Sequence, residues 1–462
     1  MNASPLAFPS HQDGYRRVPS LRLPFSLNLG ALLLAALLGL SPLAARATPS
    51  LLIDVDTGKV LMAEDATKPW YPASVTKLMT AYVVFSAIRD GRVTADTLIT
   101  VSDVAAAQAP SKMGFKPGTQ ITIDNALKMM LIKSANDIAV VLAEGVGGSL
   151  PNFVNEMNVK ASQLGMTGSH FANPNGLPDP DNYTTARDLA VLARAIILEF
   201  PEHEEIFRTP ALRLGNRVIR TYNKLIDRYP GADGMKTGFI CASGFNLVAS
   251  AHRGNRRVLA VVLGTSSGKE RTEQAALLME KGFQQSWSIF GKMSPTVDSL
   301  RNEAGTPPDM RAEICGAKRK RVASEADDDS EPSATSFAAA GMNGGAKITG
   351  ASLLVNLPPS MPPVPVWVGP VNDQAAIDAA YPAPQQKKAR TAKDKSKSAP
   401  AAAAADPKAK PGAKPAAKPA ASKPAAKPTT SADASGTAPA AKPKPKPAAA
   451  APAPAPAPRP VN

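Results

Sequence analysis

Apolar positions along this chain follow distinct rhythms. Near the start, Leu51-Leu52-Ile53-Asp54-Val55 and Lys59-Val60-Leu61-Met62 flank Asp56-Thr57-Gly58, which predicts a hairpin about a glycine turn. Next, Val75, Leu78, Met79, Tyr82 and Val83 recur at three- and four-residue spacing, the mark of a helix with one apolar stripe. Pro72 cannot continue that helix backwards and Ser74 is a good cap, so it starts about Ser74 and ends near Gly91. Short strands over 98–101 and 120–123 bracket a Gly-, Pro- and Lys-bearing loop, 109–118, that is either a mobile lid or an ordinary surface loop. Helices follow over 125–131 (capped by Asp124), 138–146, 152–164 and 186–200 (capped by Thr185). The rhythm then shortens to strands: 209–214 and 217–221 about Gly215-Asn216, 234–239, and 245–251 and 256–263 about Gly254-Asn255. A long helix over 271–290 closes the patterned part. Strands at both ends with helices between imply an α+β class, its antiparallel sheet assembled from chain-distant pieces with flanking helices.

Composition divides the chain into four. Residues 1–47 read as a signal peptide: Arg16, Arg17 and Arg22 precede a short apolar run, and Ala45-Arg46-Ala47 is an A-x-A-like cleavage pattern. Residues 48–290 are ordinary globular sequence. Residues 291–381 read as mostly irregular linker, with a Pro-rich stretch over 353–371 that either docks or stays extended. Residues 382–462 are an Ala/Pro/Lys tail that cannot bury enough surface to fold. The whole chain carries a net +15, but 387–459 alone hold sixteen Lys and Arg against three Asp, so the basicity belongs to the tail. A high isoelectric point therefore gives no reason to expect a nucleic-acid-binding core, and export argues against nucleic acid altogether. Export to a periplasmic or other extracytoplasmic space is expected, with no clear C-terminal membrane anchor, because 448–462 is Ala-Pro alternation without an apolar face. No Cys/His cluster has metal-ligand spacing. Cys241 reads as a small buried residue or, less readily, as one that lines the site, and Cys315 as part of the linker; export permits a bridge between them, but it is not the expectation.

Three short signals carry chemistry, in this order: Ser74-x-x-Lys77, Ser134-x-Asn136 and Lys236-Thr237-Gly238. Each alone is weak; Ser266-Ser267-Gly268-Lys269 and Ser26-Leu27-Asn28 match the first two by chance. Together, with the first two at helix starts and the third on a strand, they form the combination found in penicillin-binding proteins and class A β-lactamases.

Residues 49–290 resemble the low-molecular-weight penicillin-binding proteins of the serine-type D-alanyl-D-alanine carboxypeptidase family. The likeness extends to Leu51-Leu52-Ile53-Asp54, Pro72-Ala73-Ser74-Val75-Thr76-Lys77-Leu78-Met79-Thr80, Lys133-Ser134-Ala135-Asn136-Asp137, Asn173-Pro174-Asn175-Gly176-Leu177, Asp233-Gly234-Met235-Lys236-Thr237-Gly238 and Gly244-Phe245-Asn246-Leu247-Val248. The resemblance implies a helical subdomain beside the sheet and an acyl-enzyme on Ser74, formed from the terminal D-Ala-D-Ala of a peptidoglycan stem peptide. It implies Lys77 as general base, kept neutral by the second cation Lys236, with Ser134 passing a proton to the leaving amine. Asn136 would hold the substrate amide, Lys236 and Thr237 its terminal carboxylate, and the N–H groups of Ser74 and Phe239, beyond Gly238, the oxyanion. Arg271 resembles a family arginine near the cleft and equally reads as a capping or surface arginine. No cofactor is implied, and β-lactam antibiotics would enter as the peptide does.

Departures from the family pattern leave room for other readings. The β-rich second domain and amphipathic C-terminal helix of many relatives have no counterpart in the sequence pattern here. The basic tail is either a solvated spacer or an electrostatic tether to anionic envelope polymer. A D,D-endopeptidase shares all three motifs. A β-lactamase would need an acidic segment of the Glu-x-x-Leu-Asn kind, which is not found. A non-enzymatic wall-binding protein acting through its tail is the remaining alternative.

Overall fold

In a computed structural model the described residues are 48–285, 294–316 and 348–369, all within the first of the chain's two units, Met1–Lys387. The signal-peptide and tail expectations, 1–47 and 382–462, lie outside the described residues, as does the end of the predicted closing helix.

A five-stranded antiparallel sheet organises the fold. Its strands are β1 (Ser50–Asp54), β2 (Val60–Glu64), β7 (Ala232–Ile240), β8 (Gly244–Arg253) and β9 (Arg256–Thr265), in the order β2-β1-β9-β8-β7. Between them in sequence come β3 (Leu98–Thr100) paired with β4 (Gln120–Thr122), and β5 (Ala211–Leu214) paired with β6 (Arg217–Arg220). The first and last runs of the chain thus meet: β1 pairs with β9 through Leu52↔Ala260.

Side chains on alternate residues of a strand point to opposite faces. Here each face has a core of its own. Leu51, Ile53, Val248, Leu259, Val261 and Leu263 join one apolar cluster; Leu52, Leu247, Ala249, Val258, Ala260 and Val262 join the other. Burial on both sides explains why these strands read as unbroken apolar runs, although the sheet is antiparallel. The Gly268–Gln284 helix covers the second face with Ala275, Ala276 and Met279. The first face packs against the helical part, whose centre is the Lys77–Arg89 helix. Complete burial of each Leu, Ile or Val stabilises such a core by roughly 1.5–3 kcal/mol.

The predicted single stripe on that central helix is too narrow. Every residue from Lys77 to Ala87 is buried, because other helices and the sheet surround it. Its start also differs: Ala73–Thr76 form a 3₁₀ turn before the α-helix, and the Ser74 side chain caps nothing. Likewise Thr122, not Asp124, caps the Ile123–Ile132 helix by accepting from Asn125 N. Thr185 caps the Ala186–Glu199 helix as expected, accepting from Asp188 N.

Two segments of the expected linker pack on the core. Val297 is fully buried, and Met310 N donates to Ala242 O at 3.0 Å. Contrary to the sequence expectation, Cys241 and Cys315 form a disulfide that fastens this segment just past β7. Further on, Val364–Pro365 form β10, parallel to β5, and Trp367 N donates to Asn125 Oδ1.

Candidate active site

Ser74 lies in the turn before the central helix, on a backbone held by local constraints. Ala73 has φ +50°, a left-handed conformation costly for a residue with a Cβ. Its carbonyl is pinned from outside: a Cβ on Gly176 would lie 1.8 Å from Ala73 O, so only glycine fits there. Asn246, fully buried on β8, donates to Tyr71 O at 2.9 Å and Pro72 O at 3.0 Å, tying the sheet to the nucleophile's turn.

Lys77 follows Ser74 by one helical turn, and its Nζ stands 3.0 Å from Ser74 Oγ. The amine is completely buried and also donates to Asn136 Oδ1 at 2.8 Å and Asn175 O at 2.6 Å. Asn136 opens the Asn136–Gly147 helix, and its Nδ2 donates to Ala109 O at 2.9 Å. Both ends of the Asn136 amide thus bond within the protein. Its observed work is to orient Lys77 and the 109–118 loop, in addition to any substrate contact.

Ser134 is buried with φ +60°, a second left-handed residue at the site. Its Oγ accepts from Lys236 Nζ at 3.0 Å, and Lys236 also donates to Thr237 O at 2.9 Å. Lys236 and Thr237 sit on β7, the edge strand of the sheet. At Gly238 the strand passes so near the nucleophile that a Cβ would come within 2.9 Å of Ser74 N and 3.0 Å of Pro72 O. Phe239 and Ile240 continue the same edge into the cleft.

Ser74, Ser134, Asn136, Phe239 and the Cys241–Cys315 pair, among others, line one cleft of about 870 Å³; Lys77, Lys236 and Thr237 are almost wholly buried and are not among its described lining residues. Three cations line it, Lys112, Lys133 and Arg311, and no carboxylate does among the described lining residues. The 109–118 loop forms one wall and is stitched down at several points. Asn136 N donates to Ser111 O at 2.7 Å, and Asp137 accepts from Met113 N at 3.0 Å and Gly114 N at 2.8 Å. Among the described residues no group of His, Cys, Asp and Glu could hold a metal.

Arg271 stands apart from the cleft. It is wholly buried behind β7, where Nη1 donates to Gly238 O at 3.4 Å and Asn246 O at 3.3 Å, with its guanidinium over the Phe245 ring. It supports the strand that carries Lys236 and Thr237 and is neither a capping nor a surface residue. Sequence reasoning gave no role to Asn175 or Asn246. Asn175 was visible only as part of an Asn-Pro-Asn-Gly turn, and Asn246 only as a polar residue inside an apolar strand.

Comparison with known proteins agrees with this geometry. Residues 39–267 match the family model described as D-alanyl-D-alanine carboxypeptidase. The chain is 36% identical over 250 residues to D-alanyl-D-alanine carboxypeptidase DacF of Bacillus subtilis, covering 53% of this chain but 64% of that protein, slightly under two thirds of its length. It is 36% identical over 241 residues to D-alanyl-D-alanine carboxypeptidase DacB2 of Mycobacterium tuberculosis, covering 50% of this chain and 80% of that one. The crystal structure of D-alanyl-D-alanine carboxypeptidase DacD from Francisella tularensis is similar at 32% identity and a TM-score of 0.51, over 52% of this chain and 71% of that one.

Proposed function

This chain belongs to the D-alanyl-D-alanine carboxypeptidase family, and on that premise we propose that it removes the terminal D-alanine from peptidoglycan stem peptides through an acyl-enzyme on Ser74. The observation that carries the reading is the 3.0 Å approach of Lys77 Nζ to Ser74 Oγ, beside a cleft lined by Ser74, Ser134 and, from the edge strand β7, Phe239 and Ile240.

The peptide lies extended along that edge, as a strand added to a sheet. Its terminal carboxylate meets the Lys236 ammonium and the Thr237 hydroxyl, a charge-assisted pairing beside a cleft whose described lining residues include three cations and no carboxylate. Ser74 Oγ attacks the carbonyl carbon of the penultimate residue while its proton passes to uncharged Lys77 Nζ. Negative charge then collects on the carbonyl oxygen, and the N–H groups of Ser74 and Phe239 receive it. The carbon–nitrogen bond breaks, the departing amine takes a proton by way of Ser134, and the ester remains on Ser74. Water attacks the ester, the shortened peptide leaves as a carboxylate, and Ser74 regains its proton. A β-lactam opens its ring by the same attack and stays as the ester. No carboxylate stands among the described lining residues to activate water towards that ester, which weighs against a β-lactamase.

Intact-mass measurement after treatment with a β-lactam, followed by peptide mapping, tests the reading. One persistent adduct on Ser74 is expected, and an adduct on any other residue overturns it. Muropeptide analysis then separates loss of terminal D-alanine, the expected outcome, from loss of crosslinked dimers, which marks an endopeptidase.

A further inference from the structure

The far wall of the cleft is built by residues beyond the family match, which ends at residue 267. The 294–316 segment returns to the sheet, bonds Met310 N to Ala242 O at 3.0 Å, buries Met310 and Ile314, and is clasped by Cys241–Cys315. Arg311, between Met310 and the disulfide, lines the same cleft as Ser74.

We propose that Arg311 is a specificity residue, binding a side-chain carboxylate on the peptide residue that precedes the D-Ala-D-Ala pair. The inference rests on the peptidase reading above for the direction in which the peptide lies. With the terminal carboxylate at Lys236 and Thr237 and the scissile carbonyl at Phe239, the preceding residue falls beside Ile240 and Cys241. The strand rises roughly 3.3 Å per residue, so that position is on the order of 10 Å from Thr237. Cys241 is bonded to Cys315, and Cys315 N donates to Arg311 O at 2.9 Å, so Arg311 stands at this end of the cleft.

Chemistry selects the ligand class. A guanidinium presents a planar fork that matches a carboxylate two bonds at a time. The Arg311 fork is engaged at present by Asp309, with Nη1 to Oδ2 at 2.5 Å, but both side chains are about half exposed, at 60% and 49%. An exposed pair of this kind contributes little and exchanges readily. The other two lining cations are occupied differently, Lys133 Nζ with Tyr222 OH at 3.0 Å and Lys112 Nζ with Ala106 O at 3.0 Å. Arg311 is the one of the three that the clasped segment brings to the upstream end.

Two probes test this, N-acetyl-Glu-D-Ala-D-Ala and N-acetyl-Gln-D-Ala-D-Ala, which differ only in the charge of the side chain. The full chain is expected to turn over the Glu probe with about a tenfold lower KM than the Gln probe, in keeping with one charge-assisted contact, and with kcat within about twofold. Arg311→Ala removes the difference by raising KM for the Glu probe alone, and Arg311→Lys restores part of it. Labelling of Ser74 by a fluorescent penicillin whose acyl group carries no carboxylate at the upstream position stays unchanged in both variants and shows them folded. Equilibrium binding of the two probes to Ser74→Ala, with and without Arg311→Ala, reads the same preference without turnover. Equal affinity for both probes, or a preference that survives Arg311→Ala, overturns the proposal. Failure of penicillin to label Ser74 in the parent chain overturns the peptidase reading instead, and the binding comparison keeps the two failures apart.

Discussion

A methyl group at position 238 has no room. It would press on Ser74 N and Pro72 O, backbone atoms that cannot rotate aside, so β7 and the Ser74 turn must separate. Gly238→Ala is therefore expected to slow β-lactam acylation about tenfold or more, since small misplacements of reacting groups are costly, and to destabilise the fold by roughly 1–3 kcal/mol. Stopped-flow labelling and a thermal melt measure the two. Lys77→Ala should slow acylation by about 10²–10⁴, the usual scale for a general base, and at unchanged pH no other group should recover it. Residues of this kind were legible because their chemistry constrains both type and spacing: a hydroxyl and an amine one turn apart, an amine beside a hydroxyl on a strand. Asn175 was not, because it holds Lys77 through its backbone carbonyl, which any residue possesses. The disposition of Arg271 was also hidden, since nothing in a helical pattern distinguishes an arginine facing a cleft from one buried behind a strand.

Elements show the same division. The Ala186–Glu199 helix and the β5–β6 hairpin could be read from a cap and a turn. The Glu204–Arg208 helix could not, being too short for a period to repeat. It follows His203, whose ring stacks on Phe85 with centroids 4.1 Å apart. Burial there lowers the His203 pKa below its ordinary 6.5, against smaller opposing effects of Glu202 and Asp124. Below pH 6.5 the unfolded chain then binds a proton that the folded chain resists, so stability falls as the solution is acidified from there towards the folded pKa. His203→Gln should flatten this part of a melting-temperature profile between about pH 7.5 and 5.5, the range where histidines titrate; parallel profiles for the two proteins would refute it. The linker element was misjudged for a different reason. Cysteines carry no pattern that names their partner, and the bridge exists only because 294–316 folds back. The bridge spans a sequence separation of 74. In the chain-entropy account a loop of that size stabilises by about 4.5 kcal/mol at most, so Cys241→Ser with Cys315→Ser should lower the denaturant midpoint measurably.

At the scale of the whole chain, charge and chemistry occupy different stretches. Sixteen of the basic residues fall in 387–459, away from every residue placed at the site. Deleting 382–462 should leave the rate of penicillin labelling unchanged within about twofold while weakening salt-sensitive retention on cell-wall sacculi, since contacts between exposed charges are screened by salt. Retention that does not respond would reduce the tail to a spacer. The α+β class and the antiparallel sheet followed from strands at the two ends of the pattern; the order of those strands did not, because apolar runs buried on both faces carry no mark of their neighbours.

That order has a consequence for biosynthesis. β1 is made early, yet one of its two partners, β9, is among the last strands to leave the ribosome. Until Arg256–Thr265 emerges, the nascent polypeptide has a sheet missing its middle and two apolar faces with nothing to join them. Such long-range closure is slow. The central pairing of the sheet therefore joins segments made about two hundred residues apart, and neither apolar face can close before the later one exists.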